Sequence, residues 1–363
     1  MLAGSEVRPA SSAQRLVLRW GVMSWRLIGI GIVAVACLWL LMRIRAVVIP
    51  LLVAVLLARA LAPISEWLRR RRWRPGLAAA ASMLVFFLVI VGLATAITPA
   101  LADEADSLGP TVTAALDDIE DWLVEDAPFD ISRETVDSLR ERVGQRVDRL
   151  LEENDGSVLE GAALAAEIIA GLILALLLTF FMLRDGRRFS TWVIGHARPD
   201  HRQRLHRAAA RGWSALGAYL RGAALLGVVE AVAIGITLLL VGGGLVVPVM
   251  LLTFVAAFVP IFGAIAAGVV ATLVALVTAG TVPAMIVAVV ALVVQQLDND
   301  VLAPFVYGRS LQLHPVVILL SVVTGGALLG LAGAIIAVPL VAVAASVGRE
   351  LRANEASSPT LDT

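Results

Sequence analysis

Apolar runs longer than a bilayer is thick dominate this chain. Gly76 to Leu101, Gly161 to Leu183 and Val246 to Ala279 are examples, and each exceeds the roughly 18 to 20 residues that a membrane-crossing helix needs. The pattern predicts eight helical segments, over residues 27–42, 46–64, 76–100, 162–183, 213–241, 246–279, 282–297 and 313–347, and therefore an all-α, polytopic integral membrane protein. The breaks between segments are chemically marked: Arg69 to Arg74 with Pro75, Gly242-Gly243-Gly244, and Asp298-Asn299-Asp300 followed by Pro304 and Gly308. The segments 246–279 and 313–347 are longer than a straight crossing requires. The first contains Pro260 and Gly263, and the second contains Gly325, Gly326, Gly330, Gly333 and Pro339. Each can be a kinked crossing or a pair of half-helices forming a re-entrant hairpin, which a membrane tolerates where the freed backbone is buried or lines a cavity.

Two intervening stretches carry a different period. Leu108, Val112, Leu116, Ile119 and Leu123, then Val136, Leu139, Val143, Val147 and Leu150, recur at spacings of three and four, predicting two amphipathic helices within residues 101–161. Leu205, Ala209, Leu216 and Leu220 form a similar stripe opposite Arg202, Arg204, Arg207 and Arg211. Asp200 is placed to cap that basic helix, which should lie at the anionic lipid surface.

Composition agrees with the pattern. Of 363 residues, 59% are hydrophobic and 16% charged, with a mean hydropathy of +0.89, which argues against a soluble enzyme, a nucleic-acid-binding module and a disulfide scaffold. The single cysteine, Cys37, cannot form an internal disulfide. The apolar run continues past it without a small-residue cleavage site, so the first span reads as uncleaved.

Net charge is zero, but its placement is informative. The chain has no lysine, and five arginines fall in 69–74 and eight in 184–212, which puts those loops and both termini in the cytoplasm. Residues 101–161 hold 18 acidic residues against five arginines and should be extracytoplasmic. These patterns divide the chain into a cytoplasmic tail (1–26), spans one to three (27–100), an acidic outer insert (101–161), span four (162–183), a basic inner loop (184–212), a transport core (213–347) and a cytoplasmic tail (348–363).

Catalytic motifs are absent: no zinc helix, nucleophile elbow or phosphate-binding loop occurs, so no enzyme, cofactor or metal site is expected. His196, His201 and His206 are five apart, a spacing that turns each to a different helix face. The chemistry resides in ionisable residues within spans. Glu230 stands mid-segment with no other charge within eight positions, where a carboxyl suits proton coupling. Gln295, Asp298, Asn299, Asp300 and His314 form a second polar set that could line a vestibule, coordinate a cation, or simply cap helices. Pro260, Gly263, Pro304, Gly308, Gly325, Gly326 and Pro339 are hinge candidates.

The run Asp298-Asn299-Asp300-Val-Leu-Ala-Pro304-Phe-Val-Tyr-Gly308, with Leu313-His314-Pro315, Gly325-Gly326, Gly330, Gly333, Pro339, Pro260-x-x-Gly263 and Leu183-Arg184-Asp185-Gly186, resembles the autoinducer-2 exporter family of bacterial permeases. Family members often read Glu-Asn-Asn where this chain has Asp298-Asn299-Asp300. The resemblance implies a multi-pass protein of the bacterial inner membrane that exports a small polar quorum-sensing signal or, in some relatives, exchanges sodium for protons. It also implies homo-oligomers, such as pentamers. A non-transporting scaffold that holds partners on its acidic outer insert and basic inner loop is the competing class.

Overall fold

A computed structural model describes residues 42–95, 158–302 and 313–356, together with helical positions 29, 32, 36, 39, 40 and 98. Residues 101–157 of the acidic insert, Cys37, Pro304 and Gly308 lie outside the described residues, and 158–161 begin a helix. Every regular element among the described residues is helical: α1 (Arg45–Arg70), α2 (Pro75–Thr95), α3 (Val158–Gly195), α4 (Pro199–Leu240), α5 (Val246–Ala256), α6 (Phe262–Ala279), α7 (Thr281–Leu297), a π-helical turn (Asp298–Leu302) and α8 (Pro315–Ala356). Seven of them are long and apolar enough to cross a bilayer, and α5 is a shorter apolar helix. The protein is thus polytopic and all-α. The chain divides into two units at Val48. In the first, the described positions are helical except for a turn at Ile44, whose amide donates to the Leu40 carbonyl.

Several boundaries differ from the sequence reading because helices in this protein continue past the membrane. Arg69 and Arg70 form the last turn of α1 rather than a loop, where their charge complements the helix dipole. The basic stretch after Leu183 is helical on both sides of a short turn at 196–198, so α3 and α4 extend well beyond their apolar windows. Asp200 does not cap α4: Arg198 occupies the cap position without a side-chain hydrogen bond, Pro199 starts the helix, and Asp200 sits in its first turn. Pro is suited to that start because its missing N–H would be unsatisfied anyway. Leu205 and Ala209 are exposed. Leu216 is buried as expected, and with it Ala208, Gly212, Ala215 and Tyr219; the two alanines and the glycine are small and admit close helix contact.

Ile49 onwards forms the second unit. Within it, α1, α2 and α3 pack through Ala58, Leu61, Ala79 and Leu183. The larger assembly is built on α4. That helix ends in a Schellman turn: Gly242 takes φ 75°, and the Gly243 amide donates to the Leu238 carbonyl at 2.8 Å. From there α5, α6 and α7 run back and forth beside α4, burying Ile234, Leu238, Val249, Ala271, Ala275, Ala284 and Val287 together.

Both long segments left open by the sequence fold back on themselves. Val249 on α5 meets Ala271 and Ala275 on α6, and the Gly244 amide donates to Thr278 Oγ1 at 2.8 Å, which makes α5 and α6 an antiparallel hairpin. Its turn includes Ile261 at φ 70°, ψ −61°, with the Phe262 amide donating to the Pro260 carbonyl at 2.8 Å. This is a γ-turn of the rare, strained, positive-φ kind. In α8 the reversal falls at Gly330 (φ 64°, ψ −150°), not at Gly325-Gly326. Residues 315–329 and 331–356 are its two arms. A Cβ on Gly325 would collide with the Gly333 carbonyl, and one on Gly333 with the Gly325 carbonyl, so the arms touch backbone to backbone. Pro339 is fully buried in the second arm.

Candidate functional site

The hairpin turns supply the site's frame. Breaking the helix between Ala256 and Phe262 frees the Phe258 carbonyl, whose helical partner would be the Phe262 amide, already bonded to Pro260. The hydroxyl of Tyr219, 2% exposed on α4, donates to that carbonyl at 2.8 Å. An unpaired backbone group in an apolar interior is costly, so Tyr219 satisfies the turn and fixes its position against α4. Val259, Val322 and Val338 close around Tyr219, which brings the α5–α6 turn against both arms of α8. Gly263 is required at the turn because a Cβ there would run into the Ala256 carbonyl.

Three turns of helix above Tyr219, Glu230 is buried, with only 5% of its surface exposed. It lines a small cavity of about 20 Å³ with Thr253 of α5, Ala264 and Gly268 of α6, and Gln295 of α7. Thr253 is itself 3% exposed, and its Oγ1 donates to the Val249 carbonyl at 2.8 Å. The cavity holds one water-sized occupant and no organic solute.

Asp298 reaches the same place because α7 does not stop at Leu297. It continues as a π-helical turn through Leu302, a geometry that adds a residue per turn and occurs often at functional sites. Asp298 is half-buried, and its carboxyl is close enough to that of Glu230 for a side-chain hydrogen bond. Oε2 of Glu230 and Oδ1 of Asp298 are buried without partners. An ionised carboxylate only accepts hydrogen bonds, so a bond between two carboxyls needs a proton on one of them. Two carboxyls that meet in this way can share one proton, in a place where an isolated acidic residue costs about 2.5–3.5 kcal/mol to insert.

The remaining sequence candidates separate. Gln295 joins Glu230 and Asp298. Asp300 points away to the exposed side, where with Gln296, Leu292 and Val301 it lines an open groove of about 370 Å³. Asn299 lies in the π-helical turn. His314 is exposed, and its Nδ1 accepts from the Val316 amide at 3.3 Å, capping the first arm of α8. Gly326 faces Ala334 across the α8 hairpin.

Two residues escaped the sequence reading. Thr253 gives no signal, being one hydroxyl in an apolar run that only the hairpin carries to Glu230. Arg59 does give one: it is a basic residue inside the apolar α1, which by the argument applied to Glu230 marks a polar function or partner. Its Nε donates to the Trp213 carbonyl at 2.9 Å.

Apolar multi-span helices, two of them folded back, and a buried acid pair beside one fold are the parts from which membrane transporters are built. Residues 28–353 match the pattern of the AI-2E family transporters, and the chain belongs to that family. It is 30% identical over 336 residues to MT0215 of Mycobacterium tuberculosis (strain CDC 1551 / Oshkosh), a provisionally named transport protein, covering 92% of this chain and 90% of that one. YrrI of Bacillus subtilis (strain 168), also provisionally named for transport, is 27% identical over 316 residues, 84% of this chain and 86% of its own. PerM of Escherichia coli (strain K12), provisionally a permease, shares 45% identity over 51 residues, 14% of each chain.

Proposed function

We propose that this transporter exports a small polar signalling molecule, such as autoinducer-2, across the bacterial inner membrane, driven by proton movement through Glu230 and Asp298. The observation that carries this reading is the carboxyl pair, buried with unpartnered oxygens beside the α5–α6 turn. Neutralising or re-forming the pair changes what its neighbours must accommodate, and those neighbours include a hairpin whose turn stores strain at Ile261. Gln295 and Thr253 complete the proton site. Cargo binds elsewhere, since the cavity admits only one small occupant. Family membership supports transport in general; the autoinducer-2 cargo comes from the resemblance in the C-terminal motif.

In this reading both termini and the arginine-rich loops are cytoplasmic and the acidic insert is outside. Each hairpin returns the chain to the side it entered from, so Arg309 lies in the cytoplasm. Eight single crossings would put it outside, and a maleimide probe on an Arg309→Cys variant in whole cells distinguishes the two. The protein works as a homo-oligomer, of which a pentamer is one form.

The test uses purified protein in vesicles loaded with autoinducer-2 and a pH-sensitive dye. Cargo loss accompanied by a lumenal pH change, both abolished in Glu230→Gln, supports proton-coupled export. A Glu230→Gln protein that transports at the native rate removes the coupling role. A second reading, sodium/proton antiport, is favoured by the single-ion size of the cavity and by Glu230, Thr253 and Gln295 in its otherwise apolar lining. A sodium-triggered pH change without cargo movement would establish it instead.

A further inference from the structure

A second charged site lies away from the acid pair, where α1 meets α4. Arg59 is half-buried on α1. Its guanidinium lies 5.3 Å from the Trp213 ring centroid and its Nε is spent on the Trp213 carbonyl. Its terminal nitrogens lie over Gly217, where any Cβ would collide with them. One turn further along the same face of α4 stands Arg221, exposed and near enough for its charge to act on Arg59. Glu66, two turns along α1, is the acidic group that acts on Arg59 among the described residues.

Two guanidiniums therefore share one seam. Like charges brought together in a medium of low dielectric are unfavourable unless an anion lies between them. A ring and a backbone carbonyl hold Arg59 in place, while Arg221 stands exposed one turn from Gly217 at the edge of the apolar part of α4. This combination suits an oxyanion: one fixed planar fork and one exposed fork, each able to offer two parallel N–H donors. A lysine pair would offer only point charges.

We propose that Arg59 and Arg221 form an anion site at the α1–α4 seam that takes a phosphate oxyanion, carried either by a phospholipid headgroup or by a free phosphate species. The site bridges the α1–α3 cluster and the α4-based assembly, so its occupant would fasten the two. The proposal is independent of the transport reading, because neither arginine touches the Glu230 cavity.

The test is binding to purified native protein, Arg221→Gln and Arg59→Gln, with two probes: dioctanoyl phosphatidylglycerol counted by native mass spectrometry, and radiolabelled inorganic phosphate measured by equilibrium dialysis. Arg221 is exposed, so its variant keeps the fold even where loss of Arg59 disturbs the seam, and thermal unfolding of each variant checks this. Retention of the lipid by the native protein, weakened about tenfold or more in Arg221→Gln, assigns the site to a headgroup. The same loss for inorganic phosphate but not for the lipid assigns it to a free anion. Equal binding of both probes by native protein and Arg221→Gln, or binding of neither by the native protein, overturns the proposal.

Discussion

The α1–α3 cluster and the α4-based assembly are built from equally apolar sequence and use it differently. Burial alone does not separate them: α4 buries 44% of its apolar window within the chain, but α7 buries 11%, below the 17% of α2 and α3. Phe87, Leu88, Ile168, Ile173 and Leu177 face outward, as suits residues in contact with lipid or with another copy. The α4-based assembly instead contains both reversals, the π-helical turn, the γ-turn and the acid pair. Hydropathy alone does not separate a wall from a working core. Broken backbone and stranded charge do, because each is unfavourable in hydrocarbon unless neighbouring helices supply partners.

The comparison can be attacked at both ends. The largest effect is expected from Asp298→Asn, which keeps the size of the side chain but makes its charge state independent of protons; proton-linked transport should fall to background in the vesicle assay while the protein still purifies as folded. Next comes Gly333→Val, which forces a branched side chain into the Gly325 carbonyl and should cost about 3 kcal/mol or more of stability, visible as a lower midpoint of thermal unfolding. Gly330→Ala should cost less, about 1–3 kcal/mol, because its strain is confined to one residue at φ 64°, ψ −150°, a region essentially reserved to glycine. The smallest effect is expected in the α1–α3 cluster, where Phe87→Ala should change unfolding by less than about 0.5 kcal/mol. A large loss there, or a lower oligomer mass by light scattering, would show that this face is an interface and erase the distinction.

Much of this architecture is legible in the sequence. Apolar runs locate the helices, and the Pro260-Gly263 and Gly330 regions announce breaks. Glu230 is conspicuous because an acidic residue in a long apolar run has few structural explanations. Direction is what the sequence withholds. A break reads the same whether the chain bends or reverses, and only Val249 lying against Ala271 and Ala275 distinguishes them. The same holds for Asp298, which reads as the start of a loop; the π-helical turn that carries it to Glu230 leaves no pattern in residue types. Thr253 is illegible for a related reason, since its role depends entirely on which helix it is folded against. Arg59 was legible and shows that the rule for acidic residues within spans applies equally to basic ones.

The nearness of the Glu230 and Asp298 carboxyls also sets a scale for the proposed proton coupling. One proton held between two carboxyls is one elementary charge, and carrying it across a membrane potential of 100 mV releases about 2.3 kcal/mol. For an uncharged cargo exchanged one for one, that sustains a concentration ratio of about 50. Under the proton-coupled export proposed above, clearance of a signal would be efficient while it is dilute outside and would slow to a halt as the surroundings fill.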